Sequence, residues 1–170
     1  MQGIGAPQAV TLAEELIAGG VRQIINLGIA GGLYETGVFL CNKAVRDEGT
    51  SHHYLPDSVY SFPDEGLTKK LASSLEHAKI KCTLAPSWTI DTPYMETKRE
   101  VSHYRNLGVK TVDMESAALF AVGKVRKIKV ASLFVVSDVL GEKWDPQFHK
   151  MNLKKTLNKL VDVSIDCFKS

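Results

Sequence analysis

Hydrophobic positions along this chain change their spacing from helical to strand-like and back again several times. Helices are predicted from three- to four-residue apolar spacing, or from turn formers around a charged run, at residues 7–17, 65–78, 96–106, 117–122 and 152–168. Strands are predicted from short apolar runs at residues 23–27, 43–47, 80–86, 109–112 and 130–136. A loop through Gly141 and Pro146 precedes the last helix. Strands that alternate with helices predict an α/β domain.

The central sheet of this domain is predicted to be mostly parallel or mixed, with helices flanking it. At 170 residues and 44% hydrophobic content, the chain is long enough for one real core and too short for two ordinary domains. We therefore expect a single domain over residues 1–170. Ligands in open α/β sheets gather beyond the carboxyl ends of the strands. The suggestive strand ends are a glycine-rich turn at residues 28–32, residues 88–91, Asp113 with Glu115, and Asp138.

Charge and cysteine content exclude several classes of protein. Twenty-one basic residues against 19 acidic ones leave a net charge of +2, which argues against a nucleic-acid scaffold or an electrostatic membrane anchor. Cys41, Cys82 and Cys167 are odd in number and lack zinc-type spacing, so we expect free thiols in a reducing compartment. No run approaches the roughly 18 apolar residues of a membrane span, and no signal-peptide pattern opens the sequence. We expect a cytoplasmic protein without a bound metal.

Two carboxylates, Asp113 and Glu115, lie where a predicted strand gives way to a predicted helix. Glu115 is expected in the first helical turn, where the partial positive charge of the helix start keeps a carboxylate ionised and able to accept hydrogen bonds from sugar hydroxyls. The simpler interpretation is that Asp113 caps the helix and Glu115 complements its dipole. The segment alone does not decide between the two.

Four segments, taken in order, resemble a known family: residues 3–7 (GIGAP), 28–33 (GIAGGL), 113–118 (DMESAA) and 136–138 (VSD). They are similar to segments of the nucleoside phosphorylase and nucleosidase superfamily, and the resemblance covers essentially the whole chain. Residues 46–56 (RDEGTSHHYLP) and 88–94 (WTIDTPY) look like the branch that includes uridine phosphorylases and related purine nucleoside phosphorylases.

This resemblance implies a three-layer sandwich like that of nucleoside phosphorylases, and cleavage of the N-glycosidic bond of a nucleoside. The expected reaction is reversible phosphorolysis to free base and ribose 1-phosphate, with purine nucleosides favoured and uridine as the second choice. The implied ligands are a nucleoside and phosphate, with no cofactor and with neither nucleic acid nor membrane as partner. A homo-oligomer, either a dimer or a trimer of dimers, is also implied, because relatives share site residues across a dimer interface.

The resemblance also implies roles for single side chains. Glu115 matches a ribose-binding position that accepts from the sugar hydroxyls, and Met114 matches the apolar surface beneath the sugar. Asp138 matches the catalytic carboxyl that binds the base and protonates the purine N7 during bond cleavage, which requires burial to raise its pKa. Trp88 and Arg99 match base-binding positions, where relatives place an aromatic ring and an arginine that recognises uracil.

Each of these residues has a structural alternative. Met114 and Trp88 suit a hydrophobic core, Asp138 suits a helix cap, and Arg99 suits a solvated helix face. The neighbouring motifs favour the functional interpretation of Met114 and Asp138. For Trp88 and Arg99 both interpretations stay open.

The implied phosphate site departs from the family's pattern. Such a site needs arginines, backbone N–H groups and a hydroxyl, and here Gly28 and Ile29 match its backbone. The family's arginine and Ser or Thr are replaced by Asn26 and Ile29, and a Gly-Asp-Pro segment with an arginine is expected upstream of Met1. Three explanations stay open: a true start upstream of Met1, a nucleosidase of the methylthioadenosine/adenosylhomocysteine type in which water replaces phosphate, or a catalytically weak nucleoside-binding relative.

Overall fold

The fold alternates helices and strands, and the computed structural model describes it for residues 3–140 and 151–169. The helices are α1 (Ala6–Ala18), α2 (Glu65–His77), α3 (Lys98–Asn106), α4 (Ser116–Arg126) and α5 (Met151–Lys169). The strands are β1 (Gln23–Gly32), β2 (Gly37–Asp47), β3 (Tyr60–Ser61), β4 (Thr83–Ile90), β5 (Thr111–Asp113) and β6 (Lys129–Val139). Single 3-10 turns lie at Ser51–His53 and Pro93–Met95. The predicted loop through Gly141 and Pro146 lies outside the described residues.

The six strands form one mixed sheet in the order β3-β2-β4-β5-β1-β6. Parallel pairs join β2 to β4, β4 to β5 and β1 to β6, whereas β1 and β5 are antiparallel. The sheet curls until β6 also pairs with the first residues of β2, so that β2, β4, β5, β1 and β6 form a closed ring. The predicted α/β class with a mixed sheet flanked by helices is confirmed.

Helices cover both faces of this sheet and make three layers. On one face, α1 and α4 pack on the strands through a cluster that includes Ala13, Ala117, Leu119, Phe120, Phe39, Phe134 and Val136. On the other face, α2 and α5 pack through Leu67, Leu71, Leu75, Leu153 and Leu160 on Leu40, Leu133 and Val135. Helices α1, α2 and α5 bury one apolar side each, so the spacing of their hydrophobic residues predicted them well. Helix α4 is instead buried all round from Ser116 to Gly123.

One predicted turn is wrong, because β1 does not end at residue 27 but continues through the glycines to Gly32. A Cβ on Gly31 would lie 2.8 Å from Val112 Cγ1, and one on Gly32 would lie 2.6 Å from Val136 Cγ1. Both glycines therefore let neighbouring strands approach closely, and they do not form the ligand-facing turn that the sequence predicts. The strand predicted at residues 80–86 is likewise longer than expected, because β4 continues to Ile90.

Candidate functional site

Three strand ends meet around Gly31. This residue pairs with Val112 of β5 on one side and with Asp138 of β6 on the other. Since neighbouring strands lie about 4.8 Å apart, Asp138 and the turn that follows Val112 are separated by about 10 Å. The expected convergence of strand ends is therefore present, although β5 runs antiparallel to β1 and the sheet is curled.

Asp113 anchors the turn between β5 and α4. Its side chain is 4% exposed and accepts four hydrogen bonds. At Oδ1 the donors are the hydroxyls of Ser87 (2.8 Å) and Thr89 (3.0 Å). At Oδ2 they are the backbone N–H groups of Glu115 (3.1 Å) and Ser116 (2.7 Å). Asp113 thus holds the start of α4 against β4, although Glu115 is the residue at the N-cap position, and the lone pairs of Asp113 are used within the protein.

Glu115 lies two residues after Asp113 and directly before α4, and its side chain is half-buried. Its Oε1 accepts from Gly5 N at 2.7 Å, and its Oε2 accepts from Met114 N at 3.3 Å. Burial raises the pKa of Glu115; the Gly5 N–H counteracts this, and the nearby charge of Asp113 adds to the rise. The expectation that the helix start would dominate this carboxyl is therefore wrong, because burial has the larger effect.

Met114 and the chain before α1 complete this side of the site. Gly5 has a φ of 105°, which favours glycine, and a Cβ built on it would lie 3.9 Å from the Met114 methyl carbon. Ile4, directly before it, is 79% exposed. Met114 is itself half-buried, so the turn offers an apolar surface and a carboxylate side by side.

Asp138 lies at the end of β6 and is 6% exposed. Sequence reasoning missed its neighbour Glu96, whose carboxyl is half-buried in the segment between β4 and α3. Burial raises the pKa of Glu96 to about 7, with further contributions from the negative charges of Asp138 and Glu100. Glu96 shows no sequence signal, because its burial and the charges that act on it depend on how distant segments fold together.

Arg99 and Trp88 were the two base-binding predictions with open alternatives. Arg99 is exposed on the first turn of α3, where its charge acts on Glu100. Trp88 is 0% exposed, stacks on Tyr104 with ring centroids 4.4 Å apart, and donates from Nε1 to Asp47 Oδ2 at 2.8 Å. The structure therefore places Trp88 in the core and leaves no exposed ring face for a base.

The predicted phosphate position lies along β1. A Cβ on Gly28 would meet no atom within 4 Å, and Ile29 is 41% exposed. Asn26, which replaces the family's arginine, donates to Ser132 Oγ at 3.3 Å, and Ser116 donates to the same oxygen at 2.8 Å. Asn26 is therefore linked by hydrogen bonds through Ser132 to Ser116 at the start of α4. Open space remains at Gly28.

Comparison with known proteins now decides the family, since the phosphorylase superfamily model matches residues 1–168. The chain belongs to the phosphorylase superfamily. A purine nucleoside phosphorylase of Plasmodium vivax is 27% identical over 172 residues, which cover 96% of this chain and 70% of the relative. A uridine phosphorylase of Treponema pallidum is 30% identical over 149 residues, covering 79% and 58%. The crystal structure of an AMP nucleosidase from Bacteroides thetaiotaomicron superposes with a TM-score of 0.82 at 25% identity, covering 99% of this chain and 68% of that one.

Within this phosphorylase-superfamily fold, the structure brings together Met114, Glu115 and Asp138, and it adds Glu96 to them. Within residues 3–140 and 151–169, no group of three or more His, Cys, Asp or Glu side chains could hold a metal ion. None of the helices in that part of the chain is both long and apolar enough to cross a membrane.

Proposed function

We propose that this phosphorylase-superfamily chain cleaves the N-glycosidic bond of a nucleoside. The observation that carries the proposal is the half-buried Glu115 beside Met114, across Gly31 from the buried carboxyl of Asp138. The side with Met114 and Glu115 suits a sugar, and the side with Asp138 suits a base. The names of the relatives, which are purine nucleoside phosphorylase, uridine phosphorylase and AMP nucleosidase, support the same reaction class.

In the proposed reaction, Glu115 accepts a hydrogen bond from a ribose hydroxyl and Met114 lies beneath the ring. The bond between C1′ and the base nitrogen breaks, and its electron pair moves to the base. Asp138 transfers a proton to N7 of a purine, so that the base leaves neutral, while an oxygen of the acceptor bonds to C1′. Positive charge that develops on the sugar is stabilised by the carboxylate beneath it. General acids contribute roughly 10²–10⁴-fold in such steps.

Phosphate is the acceptor we propose, with ribose 1-phosphate as the second product. The open space at Gly28 supports a site for an anion next to the backbone of β1. The second candidate acceptor is water, which the replacement of an arginine by Asn26 and of a hydroxyl residue by Ile29 favours. Purine nucleosides are the preferred substrates in this proposal because Asp138 can serve N7, and uridine is the second choice. A homo-oligomer in the cytoplasm stays a prediction.

Chromatographic assay of base release from adenosine, inosine, uridine and methylthioadenosine, each with and without phosphate, tests this function. We expect purine release that depends on phosphate. Glu115→Gln should reduce the release, whereas the matched variant Glu76→Gln, on the exposed side of α2, should not. Release that is independent of phosphate would identify water as the acceptor, and the absence of release from all four nucleosides would contradict the catalytic proposal.

A further inference from the structure

One hydrogen bond joins the starts of two helices that are far apart in the sequence. Gly5 lies directly before α1, and Glu115 lies directly before α4. The bond from Gly5 N to Glu115 Oε1 is 2.7 Å long and spans 110 positions of the chain. The side chain of Glu115 makes no capping bond to its own helix. Its carboxylate is therefore turned toward the start of α1, and the backbone of another segment holds it there.

Packing between α1 and α4 fixes where these two residues lie relative to each other. The first turns of the two helices share one buried cluster, which consists of Ala6, Val10, Ala118 and Val122. Ala6 directly follows Gly5 and is 0% exposed, and Ala118 lies three residues after Glu115 and is also 0% exposed. Close-packed interiors allow little movement. The distance between the Gly5 N–H and the Glu115 carboxylate is therefore set by the core.

The backbone of Gly5 has a conformation that only glycine adopts readily, with a φ of 105° and a ψ of 162°. Space for a side chain is not the reason, because a Cβ on Gly5 would lie at an ordinary contact distance, 3.9 Å, from the Met114 methyl carbon. Any other residue would have to rotate its backbone, and this rotation would turn the N–H away from Glu115. The glycine at this position therefore serves the direction of the N–H.

The two oxygens of the Glu115 carboxylate are held unequally. Oε1 accepts from Gly5 N at 2.7 Å, whereas Oε2 accepts from Met114 N at 3.3 Å, which is long for a hydrogen bond. Burial and the charge of Asp113 raise the pKa of Glu115, and of the two N–H groups that lower it, that of Gly5 has the larger effect. Gly5 thus favours the ionised carboxylate and leaves Oε2 as the oxygen with more room for a further donor.

We propose that Gly5 is the positioning residue of the ribose site: its N–H holds Oε1 of Glu115, so that Oε2 accepts a hydrogen bond from a ribose hydroxyl. This inference rests on the proposed function, because it takes Glu115 as the group beneath the sugar. A carboxylate that is oriented before the nucleoside binds loses less side-chain freedom on binding, and it already has the geometry that the reaction needs.

The pH dependence of kcat/KM for adenosine tests this role in Gly5→Ala. We expect kcat/KM at pH 7 to fall about tenfold, the effect of one hydrogen bond to a charged group. The acid limb of the profile should also move to higher pH, because a buried carboxyl that loses this donor keeps its proton longer. Gly20→Ala is the matched control, since Gly20 has a similar φ of 100°, follows the other end of α1, and has no atom within 4 Å of a Cβ. It should keep the wild-type profile.

A double-mutant cycle asks whether Gly5 acts through Glu115. In a Glu115→Ala background, Gly5→Ala should cause no further loss of kcat/KM, because the group that it positions is already absent. A tenfold loss that is the same in both backgrounds would show that Gly5 acts independently of Glu115, and it would overturn the inference.

Nuclear magnetic resonance of the wild-type protein separates this inference from the proposed function and does not depend on whether Gly5→Ala folds. The amide proton of Gly5 should change its chemical shift with pH in step with the carboxyl carbon of Glu115. Glu115→Gln should abolish this response, whereas Glu76→Gln, at an exposed position of α2, should keep it. A Gly5 amide that does not follow Glu115 overturns the inference even if nucleosides are cleaved. A responsive amide without cleavage of any nucleoside contradicts the proposed function and supports the link between Gly5 and Glu115.

Discussion

Asp113 is buried and Glu96 is half-buried, and the surroundings of these two carboxyls are opposite. Asp113 accepts four hydrogen bonds from the protein, whereas no hydrogen bond joins Glu96 to the described residues. A buried carboxyl with its partners in place holds the structure together. A half-buried carboxyl without protein donors is stabilised in its ionised form only by the water that still reaches it. The comparison therefore separates a carboxyl that the protein ties down with four donors from one that receives no hydrogen bond from the described residues, although the two look alike in the sequence.

The largest expected effect is on stability, when the buried carboxyl of Asp113 is removed. Asp113→Ala removes the acceptor of two hydroxyls and two backbone N–H groups, and we expect it to lower the free energy of unfolding by about 3–5 kcal/mol. Urea denaturation followed by circular dichroism measures this change. Asp57→Ala, at a fully exposed carboxylate, is the control and should stay within about 0.5 kcal/mol. A loss at Asp113 as small as that of the control would show that it is not an anchor.

Glu115→Gln tests the residue that this anchor positions. The amide keeps the shape of the side chain but loses the charge beneath the sugar, so kcat/KM for a purine nucleoside should fall by about 10- to 100-fold. Activity should also fall as the pH drops through the raised pKa of Glu115, since the ionised form is required. Unchanged activity in Glu115→Gln, with Glu76→Gln as the reference, would remove Glu115 from the ribose site.

Two glycines of β1 give a matched pair for the next test. Gly31→Ala places a methyl group 2.8 Å from Val112 Cγ1 and should cost about 1–3 kcal/mol of unfolding free energy while moving Asp138 away from Glu115. Gly28→Ala meets no atom within 4 Å and should leave stability nearly unchanged. If phosphate binds beside Gly28, the second variant should raise the KM for phosphate. Equal stability of the two variants would contradict the close packing at Gly31.

The smallest expected effect is that of Glu96→Gln, which should stabilise the protein, whereas Asp113→Ala should destabilise it. Below about pH 4.5, Glu96 is neutral in both the folded and the unfolded chain. Between pH 4.5 and about 7, Glu96 is ionised in the unfolded chain but still protonated in the folded chain. The free energy of unfolding therefore falls as the pH rises through this range. Glu96→Gln removes that loss. At pH 8 it should therefore raise the free energy of unfolding by about 1 kcal/mol, a figure reduced for partial exposure, and at pH 4 it should have no effect. Destabilisation at pH 8 would mean that Glu96 has a partner within the protein.

Local chemistry explains why most elements were predictable. For α2, the sequence shows leucines at 67, 71 and 75, and the structure adds a cap in which Asp64 Oδ1 accepts from Leu67 N at 2.7 Å. Helix α5, predicted over residues 152–168, is observed as Met151–Lys169. Such signals act within a few residues of each other, and packing against the sheet reinforces them.

The wrong predictions concern contacts between segments far apart in the chain. Gly31 and Gly32 look like a loop by composition. They are part of a strand only because Gly31 pairs with Val112 and Asp138 and Gly32 pairs with Thr111 and Val139. Trp88 looks like a base-stacking ring until Tyr104 and Asp47 enclose it. Composition contains no information about these partners, because strand pairing depends on register across the whole sheet.

The sequence by itself determined the family, the α/β class and the residues Met114, Glu115 and Asp138 as candidates, because motifs and hydrophobic spacing are local properties of the chain. Only the tertiary structure decided which carboxyl accepts hydrogen bonds from the protein and which lies among like charges. That distinction depends on burial and on hydrogen-bond donors that other strands and helices supply. Asp113 receives its donors from β4 and α4, and the fold gives Glu96 only like charges.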